Sequence, residues 1–431
     1  MMKKILLTLL SAAFTTALFA QNEILTTPVD QSFQATFMSH NRNFLAGENS
    51  DLSVPSMWNT TTNQFVQVVV PTETGEPMMG AFNAISNNGI AVGSISDFSG
   101  NSIAIMADFN ANGNYTELYR LEGETNADAW GITDDGSTIA GFYFTNWTDV
   151  HACVWTNNGQ TRTELPVPTQ AQMGFGIDYV SARYISADGN TVLGYAQSEA
   201  DGEWVALAWR KVDGEYQPLC FAQDYYLSIN DDNAGPIAGK YFAFEPTALS
   251  ADGNWAVLSV TESFDPWDFD YAPVKLLARY NLTTNTLEVL HSNIDNVEIS
   301  GFGIANDGTC VGRLVEMNRT TSAIIWYPAA QEVALCSEGF AGDSYFDNQS
   351  VTTLSSISPE GNYIAGFAMT EYGDMTSFVA PLNRGTEGIT QVDAQPIAQP
   401  CIKGIFDMYG RKLDAIRGHG IYIIDGKKVI R

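Results

Sequence analysis

The sequence predicts an all-β fold, a seven-bladed β-propeller followed by a short C-terminal β-hairpin tail. Three observations carry that expectation. One phrase recurs seven times: an apolar residue, a small polar residue, an Asp-Gly or Asn-Gly pair, then a short apolar run closed by glycine, the first copy reduced to Phe44-Leu45-Ala46-Gly47. The closing positions Gly47, Gly93, Gly141, Gly194, Leu258, Gly312 and Gly366 are spaced by 46, 48, 53, 64, 54 and 54 residues. That is the length of a four-stranded blade, too long for a β-helix coil and too short for separate sandwich domains. Lastly, 37 glycines and 16 prolines punctuate short runs of Val, Ile, Thr, Tyr and Phe, as in a chain of many strands and tight turns.

Residues 1–20 read as a secretory signal peptide. Lys3 and Lys4 precede an apolar run over 5–19, and Ala20 precedes the polar Gln21, Asn22 and Glu23. The other reading, an uncleaved anchor, meets a run shorter than the roughly 18 residues that a span needs. The propeller itself is expected over 21–382. In each blade the phrase supplies strand A, a turn and strand B, the glycine of the Asp-Gly pair taking the positive φ of a tight hairpin. An apolar strand C follows, often ending in Trp, as at Trp58, Trp155, Trp209 and Trp326. A short strand D completes the blade, at 115–121, 163–167, 286–290 and 332–335. The seventh copy runs into a polar stretch after strand C at 376–382. Segment 23–29 is therefore expected to supply the missing outer strand and close the ring, which removes the exposed edges. Residues 383–400, with Gly385, Gly388, Pro396 and Pro400, read as a linker, and 401–431 as the hairpin.

The chain holds 21 Lys+Arg against 49 Asp+Glu, a net charge of −28. The tail is basic, so residues 21–399 carry 12 bases against 46 acids. A nucleic-acid binder is excluded on charge, since phosphate neutralisation needs a basic surface. The same acidity implies a ligand that is neutral or cationic.

No Gly-x-Ser-x-Gly elbow, Walker loop or dinucleotide fingerprint occurs. His40, His151, His291 and His419 fall in separate segments, as do Cys153, Cys220, Cys310, Cys336 and Cys401, which read as small buried hydrophobes. The Asp residues at Asp134, Asp188, Asp252 and Asp307 read as turn residues. Asp108, Asn110 and Asn112 place oxygen ligands at alternate positions before Gly113, as calcium loops begin, making Ca2+ the one candidate cofactor. The twelfth position of that loop is Tyr119, without the bidentate Glu of an EF-hand. Arg183, Arg313 and Arg319 read as loop arginines.

The aromatic and acidic residues gather in the segments expected to leave one face of the ring, the B-to-C and D-to-A connections. The candidate ligand-binding residues are Trp147, Asp149, Trp204, Trp267, Asp268, Phe269, Tyr271 and Tyr372. Rings beside carboxylates are how carbohydrate and cationic-peptide sites are built. The alternative is that the rings fold back as lids on the blade edges.

Two stretches resemble known families. Residues 131–159, with Ile132, Gly136, Ala140-Gly141 and His151-Ala152-Cys153-Val154-Trp155, are similar to the HAF-type repeats of bacterial extracellular proteins. That likeness extends in degenerate form over 38–382 and implies a secreted propeller-like protein with no known catalytic residues. In the tail, Asp407-Met408-Tyr409-Gly410-Arg411 and Gly420-Ile421-Tyr422-Ile423, then Gly426-Lys427-Lys428-Val429, resemble the last strands of the C-terminal sorting domains on type IX secretion cargo of Bacteroidetes. The resemblance implies export through that secretion machinery, to the cell surface or beyond. The sequence thus points to a secreted or surface-exposed propeller acting as a binding or scaffold protein for a glycan or protein. An extracellular hydrolase of polysaccharide or peptide, using carboxylates on the long-loop face, is the second reading.

Overall fold

In a computed structural model of the 431-residue chain, the residues described are 24–27, 32–72, 75–96, 100–146, 148–199, 202, 204–219, 241–262, 275–290, 296–316, 320–330, 332–336, 349–370 and 375–382, with short strands at 405–407, 412–413, 421–424 and 427–430. The expected signal peptide and linker lie outside them. The chain divides into two compact units, Met1–Leu382 and Asn383–Arg431.

The first unit is a seven-bladed β-propeller. Six blades are antiparallel meanders of strands A to D; blade 4, for example, runs Ile177–Ile185, Thr191–Ser198, Trp204–Val212 and Glu215–Leu219. Blades 5 and 6 touch through one parallel bridge, Lys275 with Glu298, which joins them into an eight-stranded sheet. Blade 7 has three strands of its own, Gln349–Ile357, Tyr363–Thr370 and Met375–Pro381. Its fourth is Leu25–Thr26, which pairs antiparallel with Val379 and Phe378. The N-terminal strand closes the ring as expected, at the other end of the unit from its partner in sequence.

Strand A of every blade carries the same irregularity. Opposite the closing position of each phrase the pairing skips one residue, so Thr36, Asn83, Trp130, Arg183, Thr247, Phe302 and Ser355 each sit in a β-bulge. A bulge bends the strand and brings backbone close to its neighbour. This explains the closing glycine: a Cβ at Gly47, Gly93, Gly141, Gly194, Gly312 or Gly366 would overlap a strand A carbonyl oxygen. Blade 5 has Leu258 there, opposite Pro246, and nothing in the structure explains how that blade dispenses with glycine.

The small polar residue of the phrase ties each A-to-B turn. The hydroxyls of Ser86, Thr133, Ser186, Ser250 and Ser358 accept the backbone N–H of Ile90, Thr138, Thr191, Trp255 and Tyr363. In three of these turns the hydroxyl donates to the Asp before glycine: Thr133 to Asp135, Ser186 to Asp188 and Ser250 to Asp252, at 2.7, 2.7 and 2.5 Å. In blade 3 both Asp134 and Asp135 lie in the turn, and Asp135, directly before the glycine, takes the hydroxyl's hydrogen bond. Adjacent turns are also stitched to one another. Asn87 N–H donates to Asp134 O, Asp134 N–H to Ala187 O, Ala187 N–H to Ala251 O and Asn306 N–H to Pro359 O.

The core lies between blades, where apolar faces of successive sheets meet. The strand C tryptophans fill it: Trp58, Trp155, Trp209 and Trp326 are all buried. Their indole N–H groups find acceptors, with Trp155 donating to Tyr119 O and Trp209 to Pro166 O, each just past strand D of the preceding blade. Cys153, Cys310 and Cys336 are free and buried, and burial pushes the Cys310 and Cys336 thiols up to about 12.

In the second unit, Ile421–Ile424 and Lys427–Ile430 form the expected hairpin. Ile405–Asp407 and Lys412–Leu413 extend it into a four-stranded antiparallel sheet. The extra pair arises because Ile405 and Phe406 add a second apolar run, which a strand pairing with Ile423 and Ile424 can use.

Candidate functional site

The seven bulges give the strands A a variable collar on an otherwise repetitive scaffold. Five of the bulge residues, Thr36, Asn83, Trp130, Thr247 and Phe302, line a cavity of about 270 Å³. Below them its wall is largely aliphatic, built from the last residues of strand A such as Ile132, Ile185, Leu249 and Ile357. At its A-to-B end stands His40, whose Nδ1 lies 2.5 Å from Asp134 Oδ1 across blade 2.

Some collar groups are used structurally. Thr36 Oγ1 donates to Phe82 O at 2.7 Å and Asn83 Nδ2 to Ala129 O at 2.9 Å, so each ties its blade to the next. Others are not: Trp130 Nε1, Arg183 Nε, Thr247 Oγ1 and Ser355 Oγ are enclosed with no hydrogen-bond partner among the described residues. An enclosed polar group left unmade costs about 1–3 kcal/mol, so four in one collar are not explained by stability.

Above Arg183, toward the B-to-C face, blades 3 and 4 build an aromatic mouth. Trp204 opens strand C and packs edge-on against Tyr195, ring centres 4.8 Å apart, and against Tyr179 at 5.5 Å. Tyr179 also meets Phe144 at 6.3 Å and lies parallel to Tyr195 at 6.4 Å. Its backbone is left-handed, φ 46°, a conformation that costs a non-glycine residue about 1–3 kcal/mol. Burial, then the neighbouring Tyr195, push its phenol above the ordinary range. The Arg183 guanidinium carbon sits 3.9 Å from the Trp130 ring centre and 4.7 Å from that of Tyr195, to whose hydroxyl it donates. The mouth is thus a half-buried aromatic wall leading to one cation.

Of the sequence-predicted ligand residues, Trp147, Trp267, Asp268, Phe269, Tyr271 and Tyr372 lie outside the described residues. Trp204 and Asp149 lie within them, on the expected face. Trp204 is half-buried in the cluster rather than free on a loop. Asp149 is exposed; Thr145 Oγ1 donates to it at 2.6 Å and His151 Nε2 stands 3.2 Å away, holding the carboxyl below its usual range. The calcium candidates form a short helical turn. Asp108 Oδ1 accepts the Asn110 N–H at 2.8 Å, Asn110 Nδ2 donates to Asn88 O, and Asn112 is left-handed. A calcium ion would compete for the same Asp108 oxygen.

Two arginines read as loop residues are not in loops. Arg183 is a strand A bulge residue, and Arg313 lies in strand B of blade 6, 3.2 Å from Glu298. The collar was missed because its residue types share nothing. Its signal is positional: each member stands three residues before the turn residue Ser39, Ser86, Thr133, Ser186, Ser250, Ala305 or Ser358.

No family model matches the chain, and no curated protein matches it. Solved structures do, at the level of fold. A prolyl endopeptidase structure aligns over 83% of this chain and 49% of its own length, with 8% identity and a TM-score of 0.50; this chain spans about half of that protein. The β-propeller domain of the Trilobed protease from Pyrococcus furiosus aligns over 85% of this chain and 98% of its own, with 9% identity and a TM-score of 0.45. Oligogalacturonate lyase from Vibrio parahaemolyticus aligns over 83% and 91%, with 12% identity and a TM-score of 0.49.

Proposed function

We propose that the protein is a secreted or surface-exposed propeller that binds a glycan at the aromatic mouth of blades 3 and 4. The observation that carries this is Tyr179: a tyrosine held at φ 46°, where glycine would cost less, so that its ring joins Trp204 and Tyr195 in one wall. Strained backbone that presents a side chain is found where that side chain is used. Ring faces stack on the C–H faces of sugars, and the nearby hydroxyls and carboxylates hydrogen-bond to their hydroxyl groups. The export reading is supported by the signal-peptide pattern at 1–20 and by the tail's resemblance to sorting domains, through which the secretion machinery would be the second partner.

The experiment is a glycan array on the chain from residue 21, repeated with Tyr179→Ala and Trp204→Ala. Binding by the wild type that both variants lose supports the reading. Binding that both variants keep, with unchanged affinity, refutes the location.

A further inference from the structure

We infer that the glycan carries a single carboxylate and that Arg183 binds it; this rests on the glycan reading of the mouth and names the ligand's class.

Arg183 differs from the arginines that hold an acid. Arg162, Arg279 and Arg313 each hold a glutamate, at 2.5, 2.5 and 3.2 Å. Arg183 has no carboxylate within 4.0 Å among the described residues, although residues 21–399 carry 46 acids against 12 bases. Among the described residues its one hydrogen bond runs from Nη2 to the Tyr195 hydroxyl, and its Nε–H has no acceptor. Its guanidinium carbon lies over the Trp130 ring at 3.9 Å and over the Tyr195 ring at 4.7 Å. A guanidinium held by its face presents its edge, and that edge is the fork that matches a carboxylate with two parallel hydrogen bonds.

The surroundings define what bears the carboxylate. Trp130, whose ring lies against Arg183, has an Nε1 donor without an acceptor, and Thr247, which lines the cavity together with Trp130, has an unpartnered hydroxyl. A donor-only group and a hydroxyl suit a ligand rich in hydroxyl groups. The Tyr179 and Trp204 rings stand at the entrance to receive its apolar face. A sugar acid has all three features. A single negative charge departs from the neutral or cationic ligand that the acidity of the body implies, and Arg183 offsets it; a polyanion is excluded, because repulsion from the acidic body grows with each added charge while the collar offers one cation.

The test compares each of glucuronate, galacturonate and mannuronate with its uncharged amide and with acetate, by titration calorimetry on the full chain lacking 1–20. A charge-assisted pair contributes about 1.5–3 kcal/mol, so one uronate should bind at least about tenfold more tightly than its amide. Arg183→Gln should erase that difference, and Arg183→Lys should retain part of it. Equal affinity for acid and amide overturns the carboxylate assignment but leaves the glycan reading standing, as does a preference that survives Arg183→Gln. Acetate binding as tightly as the uronate overturns the sugar part, and no binding by any sugar overturns both readings. The acid–amide comparison uses unaltered protein, so it decides even where Arg183→Gln does not fold.

Discussion

Ser377 holds Ala35 across the seam of the ring. The Ala35 N–H donates to Ser377 Oγ at 2.9 Å, and that hydroxyl donates on to Phe33 O at 2.7 Å, with 342 residues between the first pair. All of these groups are buried, so blade 1 is bonded to blade 7 by one side chain as well as by the borrowed strand at Leu25–Thr26.

Ser377→Ala should therefore destabilise the propeller by about 1–3 kcal/mol, the cost of leaving the Ala35 N–H enclosed without an acceptor. Urea unfolding measures it. A change below about 0.5 kcal/mol would show that the seam relaxes around the lost hydroxyl.

Gly194→Ala and Gly312→Ala should each cost more than about 3 kcal/mol, because the new methyl would overlap the carbonyl oxygens of Ser181 and Ser300 and backbone has to move to make room. Ala at the exposed Gly214, where a Cβ meets nothing but φ is 88°, should cost only about 1 kcal/mol. Thermal unfolding of the three variants tests the order.

Glu124 and Arg162 form a bidentate pair at 2.5 and 2.8 Å, with both side chains 7% exposed. Burial pushes the Glu124 carboxyl up, but the Arg162 hydrogen bonds, the Leu121 N–H and the Arg162 charge outweigh it and hold it below 4.5. A carboxyl lowered on folding adds stability that is present above its unfolded value and is lost as pH falls through the folded one. Glu124→Gln should cost about 3 kcal/mol at pH 7. Its deficit relative to wild type should shrink below about pH 4.5. A deficit constant down to pH 3 would defeat this account.

At Tyr179 the usual order of substitutions should invert. The φ of 46° favours glycine by about 1 kcal/mol over any residue with a Cβ. Tyr179→Gly should unfold at a higher denaturant concentration than Tyr179→Ala, while both lose ligand. The reverse order would mean that the left-handed backbone relaxes once the ring is gone.

The repeat, the blade count and the N-terminal closure were legible in the sequence because each rests on local chemistry repeated in register. Asp-Gly turns, closing glycines and strand C tryptophans mark blades wherever they recur. The collar was not legible for the opposite reason. The bulge residues meet different partners in different blades and are free to be Thr, Asn, Trp, Arg, Phe or Ser, so no residue type marks them. Trp204 is singled out in the sequence by type and position, but its half-buried packing depends on Tyr179 and Tyr195, which come from two other strands.

The stitched turns carry a consequence for how the molecule could be recut. Each backbone link of that belt runs the same way round, from one blade's amide to the next blade's carbonyl; at the blade 1–2 and 5–6 junctions the amide reaches Asn87 Oδ1 and Asn306 Oδ1 instead, and Pro359 in blade 7 has no amide to pass on. Where the run stops, the blade 1 turn is joined by Arg42, its guanidinium 3.8 Å from the Tyr363 ring centre. The wheel is thus a strap with a buckle, and the buckle is made of side chains and a two-residue strand rather than of continuous backbone bonding. A circular permutant with its ends moved to another junction, and residue 382 joined to residue 24 by a short peptide, would weld the buckle shut and open the ring at a new place.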